Sequence, residues 1–462
     1  MGGPDEMGPD LAGLDLTGVD LTGVDLTGVD QRLPDGCRDS AECPQQVAPI
    51  CDRGSLPAMC RPCQGHEECR GRHPNLKWCI AGGCHECVSS NDCPNDLGCR
   101  AGACVACQVH GECASLVCDP YQRNGAGSHG RCVPQTSLVY VDNRNGGACT
   151  PGDGTSPERA VCTLAQGLAA LGGSRQALRV MKSTATYGQL HLTSSATVYG
   201  PAGGDGSDDK AMLGGDNGRT AVWVESDGTS EPQLILDGFE IIRSARGVQC
   251  SGRGGGANMK RPTLRLRRSV VTGGLFGGLQ ANRCVVEIDR VRFARNGQGG
   301  IYLIDFVEYS ITNTFVLDNS FGGGGVSFGE AAGLKPDGSP GQAVFRYNTV
   351  RGNSPRGVDC GPGDRPLQDS IVIDNAGGTN QFRGTCKLTR VVVGDKETIG
   401  EPGAIKQNPM VDAEGRLQAG DTVCVDQGGS APEVRTDYFG TVRPVRKTMM
   451  GSGYDIGAHE LP

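Results

Sequence analysis

The chain has 462 residues, of which 74 are glycine and only 5% are aromatic. This composition argues against a globular core built on large aromatic side chains and favours turn-rich β structure. The formal net charge is −8, and residues 1–36 hold eight acidic residues against one arginine. The remainder is close to neutral, so no strongly basic domain is present and nucleic acid is not expected as a partner.

Residues 1–36 form a regular acidic repeat, in which aspartate recurs at every fifth position from Asp5 to Asp35. The central units, "DLTGVDLTGVD", resemble those of pentapeptide-repeat proteins, which wind into a square β-helix. Seven units would make fewer than two coils of such a helix, and proline in three of them removes backbone donors. We therefore expect residues 1–36 to be a disordered, low-complexity acidic linker.

The 23 cysteines point to an oxidising compartment and therefore to export. The opening "MGGPDEMGPD" nevertheless lacks the basic start and apolar run of a signal peptide, and no apolar run of about 18 residues is available to span a membrane. We expect an extracytoplasmic protein, secreted or at the cell surface, whose signal was removed or lies upstream of Met1. A lipoprotein signal there would make the acidic repeat a tether to a membrane.

Residues 37–134 contain sixteen cysteines arranged as four modules of four, each opening with C-x5-C. The compact third copy, "CVSSNDCPNDLGCRAGAC", is too short to fold by core burial alone, so we expect two disulfides per module. Three connectivities within a module are possible. The alternative takes "CRPC", "CHEC" and "CVAC" as zinc knuckles, but each of these pairs straddles a junction between modules.

Two groups of sequence segments resemble those of a known family. "YVDNRNGG", "GTSPERAVCTLAQGLAAL" and "ATYGQLHLTSSATVYGPAGG" resemble the opening of bacterial exported right-handed parallel β-helix proteins with the pectin-lyase-like fold. "VCVDQGG", "DYFGTVRPV" and "YDIGAHE" are similar to the closing region of the so-called choice-of-anchor Q proteins. The resemblance implies an all-β protein with a parallel β-helix over residues 135–400, a capping helix at about residues 163–171, and a closing segment over residues 401–462. It implies no single activity, because this fold serves polysaccharide lyases, hydrolases and adhesins.

A recurring asparagine supports the β-helix independently. Asn296, Asn319, Asn353 and Asn375 are each followed within a few residues by glycine and are spaced by 23, 34 and 22 residues. The long interval contains "EAAGLKPDGSPGQ", which we interpret as a loop inserted into one coil. We expect each asparagine to adopt the left-handed conformation of a tight turn and its side chain to join a hydrogen-bonded ladder.

The strands that follow these turns predict a candidate ligand-binding face. Alternation sends Val248, Leu279, Ile301, Val326 and Val358 inward. The neighbouring residues then point outward, one per coil at a spacing of about 4.8 Å: Gln249, Gln280, Tyr302, Ser327 and Asp359. Such a column suits a sugar chain running along the helix. The alternative is an ordinary solvated sheet face, since half of an exposed strand must be polar.

The candidate catalytic group lies a few residues further on, where Arg283, Asp305 and Glu330 fall in successive coils. One strand spacing between Asp305 and Glu330 is close to the separation of paired carboxylates in retaining glycosidases. Arg283 beside them would hold the charge of a uronate in a lyase. The alternative is three ordinary charges flanking turns, and a register error of one residue would displace all of them.

No cofactor is required by these patterns, and calcium is the one candidate. "GGDGSDDKAMLGGD" places Asp205, Asp208, Asp209 and Asp216 among glycines, which permits an oxygen-ligand loop. The pattern matches no regular calcium loop, so the alternative is a flexible connection between strands.

The later cysteines predict three further disulfides. Cys149 and Cys162 flank a glycine-rich turn, and the other pairs would each tie a strand to the following coil: Cys250 with Cys284, and Cys360 with Cys386. Cys424 is left over as a free or buried thiol.

These observations lead to three hypotheses for function. The first is a cell-surface or extracellular protein that binds polysaccharide, or another surface, through one β-sheet face. The second is a polysaccharide lyase or glycoside hydrolase that acts along the same face. The third is a structural spacer without a ligand. The sequence specifies no oligomeric state.

Overall fold

The structure is a computed structural model and describes residues 37, 40, 43–44, 48–52, 59–72, 75–125, 129–201, 211–215, 218–255, 258–320, 322, 324–378, 381–397, 402–445 and 452–461. The chain divides into two compact units, residues 1–88 and residues 89–462. The expected acidic linker, residues 1–36, lies outside the described residues.

The first unit contains two cystine modules built on short hairpins. β1 (Ile50–Asp52) pairs antiparallel with β2 (Met59–Arg61), and β3 (Trp78–Ile80) pairs antiparallel with β4 (Gly83–His85). α1 (His66–Arg72) precedes the second hairpin. Each module joins its first cysteine to its third and its second to its fourth: Cys37–Cys51, Cys43–Cys60, Cys63–Cys79 and Cys69–Cys84. Modules with so little apolar core depend on such crosslinks.

The second unit begins with two more cystine hairpins, and the fourth module repeats the same interleaved connectivity. Their strands are β5 (Gly98–Arg100), β6 (Ala103–Val105), β7 (Cys118–Arg123) and β8 (His129–Cys132). Disulfides there include Cys93–Cys104, Cys107–Cys118 and Cys113–Cys132. Of the three connectivities open from the sequence, the interleaved one is therefore found in the first, second and fourth modules.

The rest of the second unit is a right-handed parallel β-helix, as the sequence predicts. One wall, here called the short sheet, takes one short strand from each coil. Its eight strands, all paired in parallel, are β11 (Leu190–Leu192), β14 (Val222–Glu225), β17 (Val248–Ser251), β19 (Leu279–Asn282), β21 (Ile301–Leu303), β24 (Val326–Phe328), β27 (Val358–Asp359) and β29 (Phe382–Arg383).

The other two walls belong to one bent sheet, here called the long sheet. Its strands are β9 (Leu138–Val141), β10 (Ala177–Val180), β12 (Ala196–Tyr199), β13 (Ala211–Gly214), β15 (Gln233–Asp237), β16 (Phe239–Ile242), β18 (Thr263–Thr272), β20 (Val285–Ala294), β22 (Glu308–Thr312), β23 (Phe315–Leu317), β25 (Ala343–Arg346), β26 (Thr349–Arg351), β28 (Arg365–Ile373), β30 (Cys386–Val392) and β31 (Ala404–Ile405). Its longest strands bend where one residue has a positive φ, at Arg268 (42°), Arg290 (56°), Asp369 (46°) and Arg390 (51°). Each bend turns the chain from one wall to the next.

Strand alternation fills the coil interior with aliphatic side chains. The residues predicted to point inward from the short sheet are all at most 2% exposed: Val248, Leu279, Ile301, Val326 and Val358. They join one continuous core that runs from Val139 to Val393. The predicted loop insertion also occurs where expected, between β24 and β25.

The asparagine ladder is confirmed. Asn296, Asn319, Asn353 and Asn375 are at most 1% exposed, and each of the first three donates from Nδ2 to Oδ1 of the next at 2.9 Å. The expectation that these asparagines adopt a left-handed conformation is wrong. That conformation belongs to the residue before each of them: Arg295, Asp318, Gly352 and Asp374. The turn therefore points the asparagine side chain inward, where it pairs with backbone and side-chain groups of neighbouring coils.

The expected capping helix is present but shorter, as α2 (Leu164–Ala169). Thr163 accepts a hydrogen bond from the Gln166 backbone, and the Gln166 side chain accepts from the Thr163 backbone, which fixes the first turn. A Cβ added to Gly167 would lie 2.7 Å from Cγ2 of Val141. The helix can therefore approach the first strand closely only because this position is glycine.

The fourth cystine module packs against the long sheet within the second unit. Asp119 accepts a hydrogen bond from the Tyr199 hydroxyl at 2.8 Å, and the Tyr121 hydroxyl donates to Asp289. The Arg267 guanidinium lies 3.5 Å from the centre of the Tyr121 ring. These contacts join the fourth module to the β-helix within the second unit, which begins at residue 89.

Residues 402–445 and 452–461, here called the C-terminal segment, pack against the outer face of the last strands of the long sheet. Leu417, Cys424 and Ile456 lie against Ile371, Ile373 and Val392, while Tyr438 and Ala458 lie against Phe315 and Leu317. This part of the outer face is apolar because the C-terminal segment covers it.

The structure pairs the later cysteines as Cys149–Cys162, Cys250–Cys284 and Cys360–Cys386. All four cysteines of the last two disulfides are at most 1% exposed, so these bonds lie inside the coils. Cys424 is a buried free cysteine, as predicted.

Candidate functional site

The outward residues of the short sheet stack in register along the β-helix. Gln249 pairs with Gln280, Gln280 with Tyr302, Tyr302 with Ser327, and Ser327 with Asp359 in adjacent parallel strands. Parallel strands place such partners about 4.8 Å apart, so the side chains form one continuous line.

The line extends further at both ends than the sequence predicted. His191 and Trp223 precede Gln249 in the same register, and Arg383 follows Asp359. We call the eight residues the polar column: His191, Trp223, Gln249, Gln280, Tyr302, Ser327, Asp359 and Arg383. The signal for the first two was the alternation in "QLHL" and "AVWVE", which lacks the glycine that marks the later strands.

One end of the polar column is aromatic. The His191 and Trp223 rings are stacked, with centroids 4.4 Å apart and planes 12° from parallel. Glu225 holds this end in place, because its carboxylate accepts from His191 Nε2 at 2.8 Å and from Arg253 at 3.4 Å. Among the described residues the Trp223 indole N–H is buried and has no hydrogen-bond partner. A stacked pair of aromatic rings is therefore fixed at this end.

The middle of the column carries polar groups that the chain leaves unused. Tyr302 is 44% exposed, and within the described residues neither its hydroxyl nor the Gln280 amide makes a hydrogen bond. Gln249 is more constrained, because its amide contacts Thr220 at 3.3 Å and Ser251 at 3.2 Å. Ser327 is only 8% exposed. The accessible groups are thus concentrated around Gln280 and Tyr302.

The far end of the column is an ion-pair cluster. The Asp359 carboxylate lies 3.0 Å from Arg356 and 3.8 Å from Arg383. Arg383 is exposed, whereas Asp359 is half-buried. This end presents positive charge, while the opposite end presents aromatic rings.

The three candidate catalytic residues lie in successive coils, but their side chains do not form a bonded group. The Arg283 backbone N–H donates to the Asp305 carbonyl at 2.7 Å, while the Arg283 guanidinium donates to the Gly254 carbonyl at 2.9 Å. Glu330 is exposed, and its carbonyl accepts from Arg365 at 2.7 Å. In the described part of the chain no hydrogen bond or ion pair joins the side chains of these three residues. Their assignment to catalysis stays a prediction.

The calcium candidates, Asp205, Asp208, Asp209 and Asp216, lie outside the described residues.

The cysteine modules bear on the zinc alternative. In the first, second and fourth modules three sulfurs lie within 4.8 Å of one another, a separation that would suit a metal. The same sulfurs are joined in disulfides, however, so no thiolate is available there to bind zinc.

Comparison with known protein-family models finds no matching family, and comparison with curated proteins finds no significant match. Among the described residues neither helix has the length and apolar character needed to cross a membrane. The disulfides indicate an oxidising, extracytoplasmic environment.

Proposed function

We propose that this is an exported protein, secreted or held at the cell surface, that binds a polysaccharide chain along the polar column. The single observation that carries the proposal is the continuous register of eight outward residues with exposed aromatic and amide groups. Seven strand spacings give the column a length of about 34 Å. A site of that length is open to an extended polymer.

The chemistry of the column fits a sugar chain. The exposed Tyr302 ring and the outer edges of the stacked His191 and Trp223 rings offer apolar surface to the C–H face of a sugar ring, and Gln280 offers both a donor and an acceptor to its hydroxyls. The rigid β-helix holds these groups in place before a ligand arrives, which lowers the entropy lost on binding. The resemblance to exported β-helix proteins, a fold shared by polysaccharide lyases and adhesins, agrees with this class of ligand.

Affinity electrophoresis of the full chain in gels that contain acidic or neutral polysaccharides tests the proposal. At least one polysaccharide should retard the protein, and Tyr302→Ala should weaken binding by up to about 10-fold because one aromatic contact is lost. Lys387→Ala is the matched control, since Lys387 is an exposed residue of β30 on the long sheet. Equal loss in both variants, or no retardation by any polymer, would contradict the proposal.

The same incubations separate the enzyme hypothesis from the binding hypothesis. A hydrolase releases new reducing ends, and a lyase also forms unsaturated products, whereas a binding protein leaves the polymer intact. A blank glycan array together with intact polymers would instead favour the structural spacer.

A further inference from the structure

A second candidate site lies on a different wall of the β-helix. It is a pocket of about 250 Å³ between the outer face of the long sheet and the C-terminal segment. Glu240 and Arg292 enter it from β16 and β20, and Arg295 from the turn after β20. The C-terminal segment contributes Tyr438 and Phe439 together with Glu414 and Arg416, which form an ion pair with each other. We call it the arginine pocket. None of these residues belongs to the polar column.

Two arginines of this pocket, Arg292 and Arg295, differ from several outward arginines of the long sheet. Arg265, Arg267 and Arg346 each lie within 3.4 Å of a carboxylate oxygen. By contrast, no carboxylate in the described part of the chain lies within 4.0 Å of the Arg292 or Arg295 guanidinium. Arg292 is half-buried and Arg295 is exposed. Two guanidinium groups at one pocket without a carboxylate partner favour an anionic ligand, because they can hold a planar carboxylate with paired hydrogen bonds.

The backbone brings both arginines to the pocket. Arg292 points outward from β20, where it is the register partner of Phe315. Arg295 follows three residues later with a φ of 56°, in the turn that leads to Asn296. Both positions are fixed by the register and by the asparagine ladder, so the guanidinium groups are attached to a rigid part of the molecule.

The opposite side of the pocket is aromatic. The Tyr438 and Phe439 rings are 4.9 Å apart and nearly perpendicular, and both contact the buried Phe315 ring. Phe439 is half-buried, and the Arg416 guanidinium lies 5.5 Å from its ring centroid, so the remainder of the ring surface is open to the pocket. This surface suits the apolar face of a six-membered sugar ring. Glu240, two strands from Arg292, supplies an acceptor for sugar hydroxyls.

We propose that the arginine pocket binds a uronate, that is, a sugar residue that carries a carboxylate. Its volume is below the range for drug-sized ligands and matches a single ring. A neutral sugar would leave both arginines unpaired, and a simple anion would leave the aromatic wall uncovered. The site is independent of the polar column, so it stands whether or not the column binds a polymer.

Isothermal titration of the full oxidised chain with D-galacturonate tests the proposal. Binding in the millimolar range or tighter is expected, and Arg292→Gln and Arg295→Gln should each weaken it by about 10-fold or more, because each removes charge-assisted hydrogen bonds. Arg265→Gln is the matched control, since Arg265 points outward from β18 of the same sheet but pairs with Glu287 at 2.8 Å. Tyr302→Ala should leave galacturonate binding unchanged, which separates this proposal from the one for the polar column.

Three results would overturn the proposal: no binding of D-galacturonate up to millimolar concentrations, equal binding of acetate or D-galactose, or equal loss of affinity in the Arg265→Gln control. Thermal unfolding shows whether each variant is folded. Because Arg295 is exposed, its replacement by glutamine leaves a folded test protein even if Arg292→Gln is unstable.

Discussion

The buried ion pair of Arg268 and Asp237 lies on the long sheet, next to the fourth cystine module, and gives a sharp prediction. Both side chains are fully buried, and Nε and Nη2 of Arg268 each lie 2.6 Å from one carboxylate oxygen of Asp237. Nη2 also lies 3.4 Å from the Cys118 carbonyl of the module. Replacing Arg268 by methionine would leave a buried carboxylate without this partner, so we expect a loss of about 3–5 kcal/mol in the free energy of unfolding.

Acid should remove part of the same stabilisation. Burial alone would raise the pKa of Asp237, but the charge and hydrogen bonds of Arg268 outweigh it and lower the pKa from 3.8 to about 2. Because the folded-state pKa is the lower one, the ionised carboxylate stabilises the fold above about pH 4. This contribution, about 2 kcal/mol, is lost as the pH falls from about 4 to about 2.

Guanidinium denaturation under non-reducing conditions at pH 7 and pH 3 measures both effects. The double variant Asp237→Leu/Arg268→Met should recover most of the loss because no buried charge remains. Arg265→Met, which breaks a partly exposed pair, should cost less than about 1 kcal/mol. The reasoning fails if Arg268→Met costs no more than Arg265→Met, or if the double variant is as unstable as the single one.

Three further predictions concern the ladder, the thiols and the candidate catalytic residues. Asn319→Ala removes hydrogen bonds to Phe293, Asn296 and Asn353 and should cost about 3 kcal/mol by denaturation, whereas the exposed control Gln298→Ala should cost less than about 0.5 kcal/mol. Burial raises the pKa of the Cys424 thiol, so a thiol reagent should find none in the native protein and one after unfolding without reductant; several would contradict the disulfides. If the chain cleaves a polysaccharide, Asp305→Asn and Glu330→Gln should each abolish turnover, and unchanged turnover rules out the pair.

The register of the β-helix can be predicted from the sequence because a glycine precedes each of the five short-sheet strands from β17 to β27 and side chains alternate with a period of two. The same rule missed Trp223 and His191, since Ala221 and Gln189 occupy the positions before their strands. Without a glycine before the strand, nothing in the local sequence pattern distinguishes the first two strands of the short sheet from other short apolar runs.

Two other features could not be derived locally. Local sequence preference predicts the left-handed conformation at the asparagines, because their side chains tolerate it. The ladder instead requires those side chains to point inward, and the left-handed conformation falls on the preceding residue. The contacts of the fourth module depend on partners far apart in the chain, such as Tyr121 and Asp289, which are separated by 168 residues. Neither the hydrophobic periodicity of a strand nor the residues of a turn indicate contacts between residues so far apart in the sequence.

The C-terminal segment also bears on the order in which the protein can be completed. Coils of a β-helix can stack one after another as the chain is synthesised, since each needs only its neighbour. The apolar outer face formed by Phe315, Leu317, Ile371 and Ile373 is different, because its cover includes Ile456 and Ala458. That face stays exposed to water until these residues have joined the fold, and until then it is an apolar surface through which the incomplete protein can aggregate.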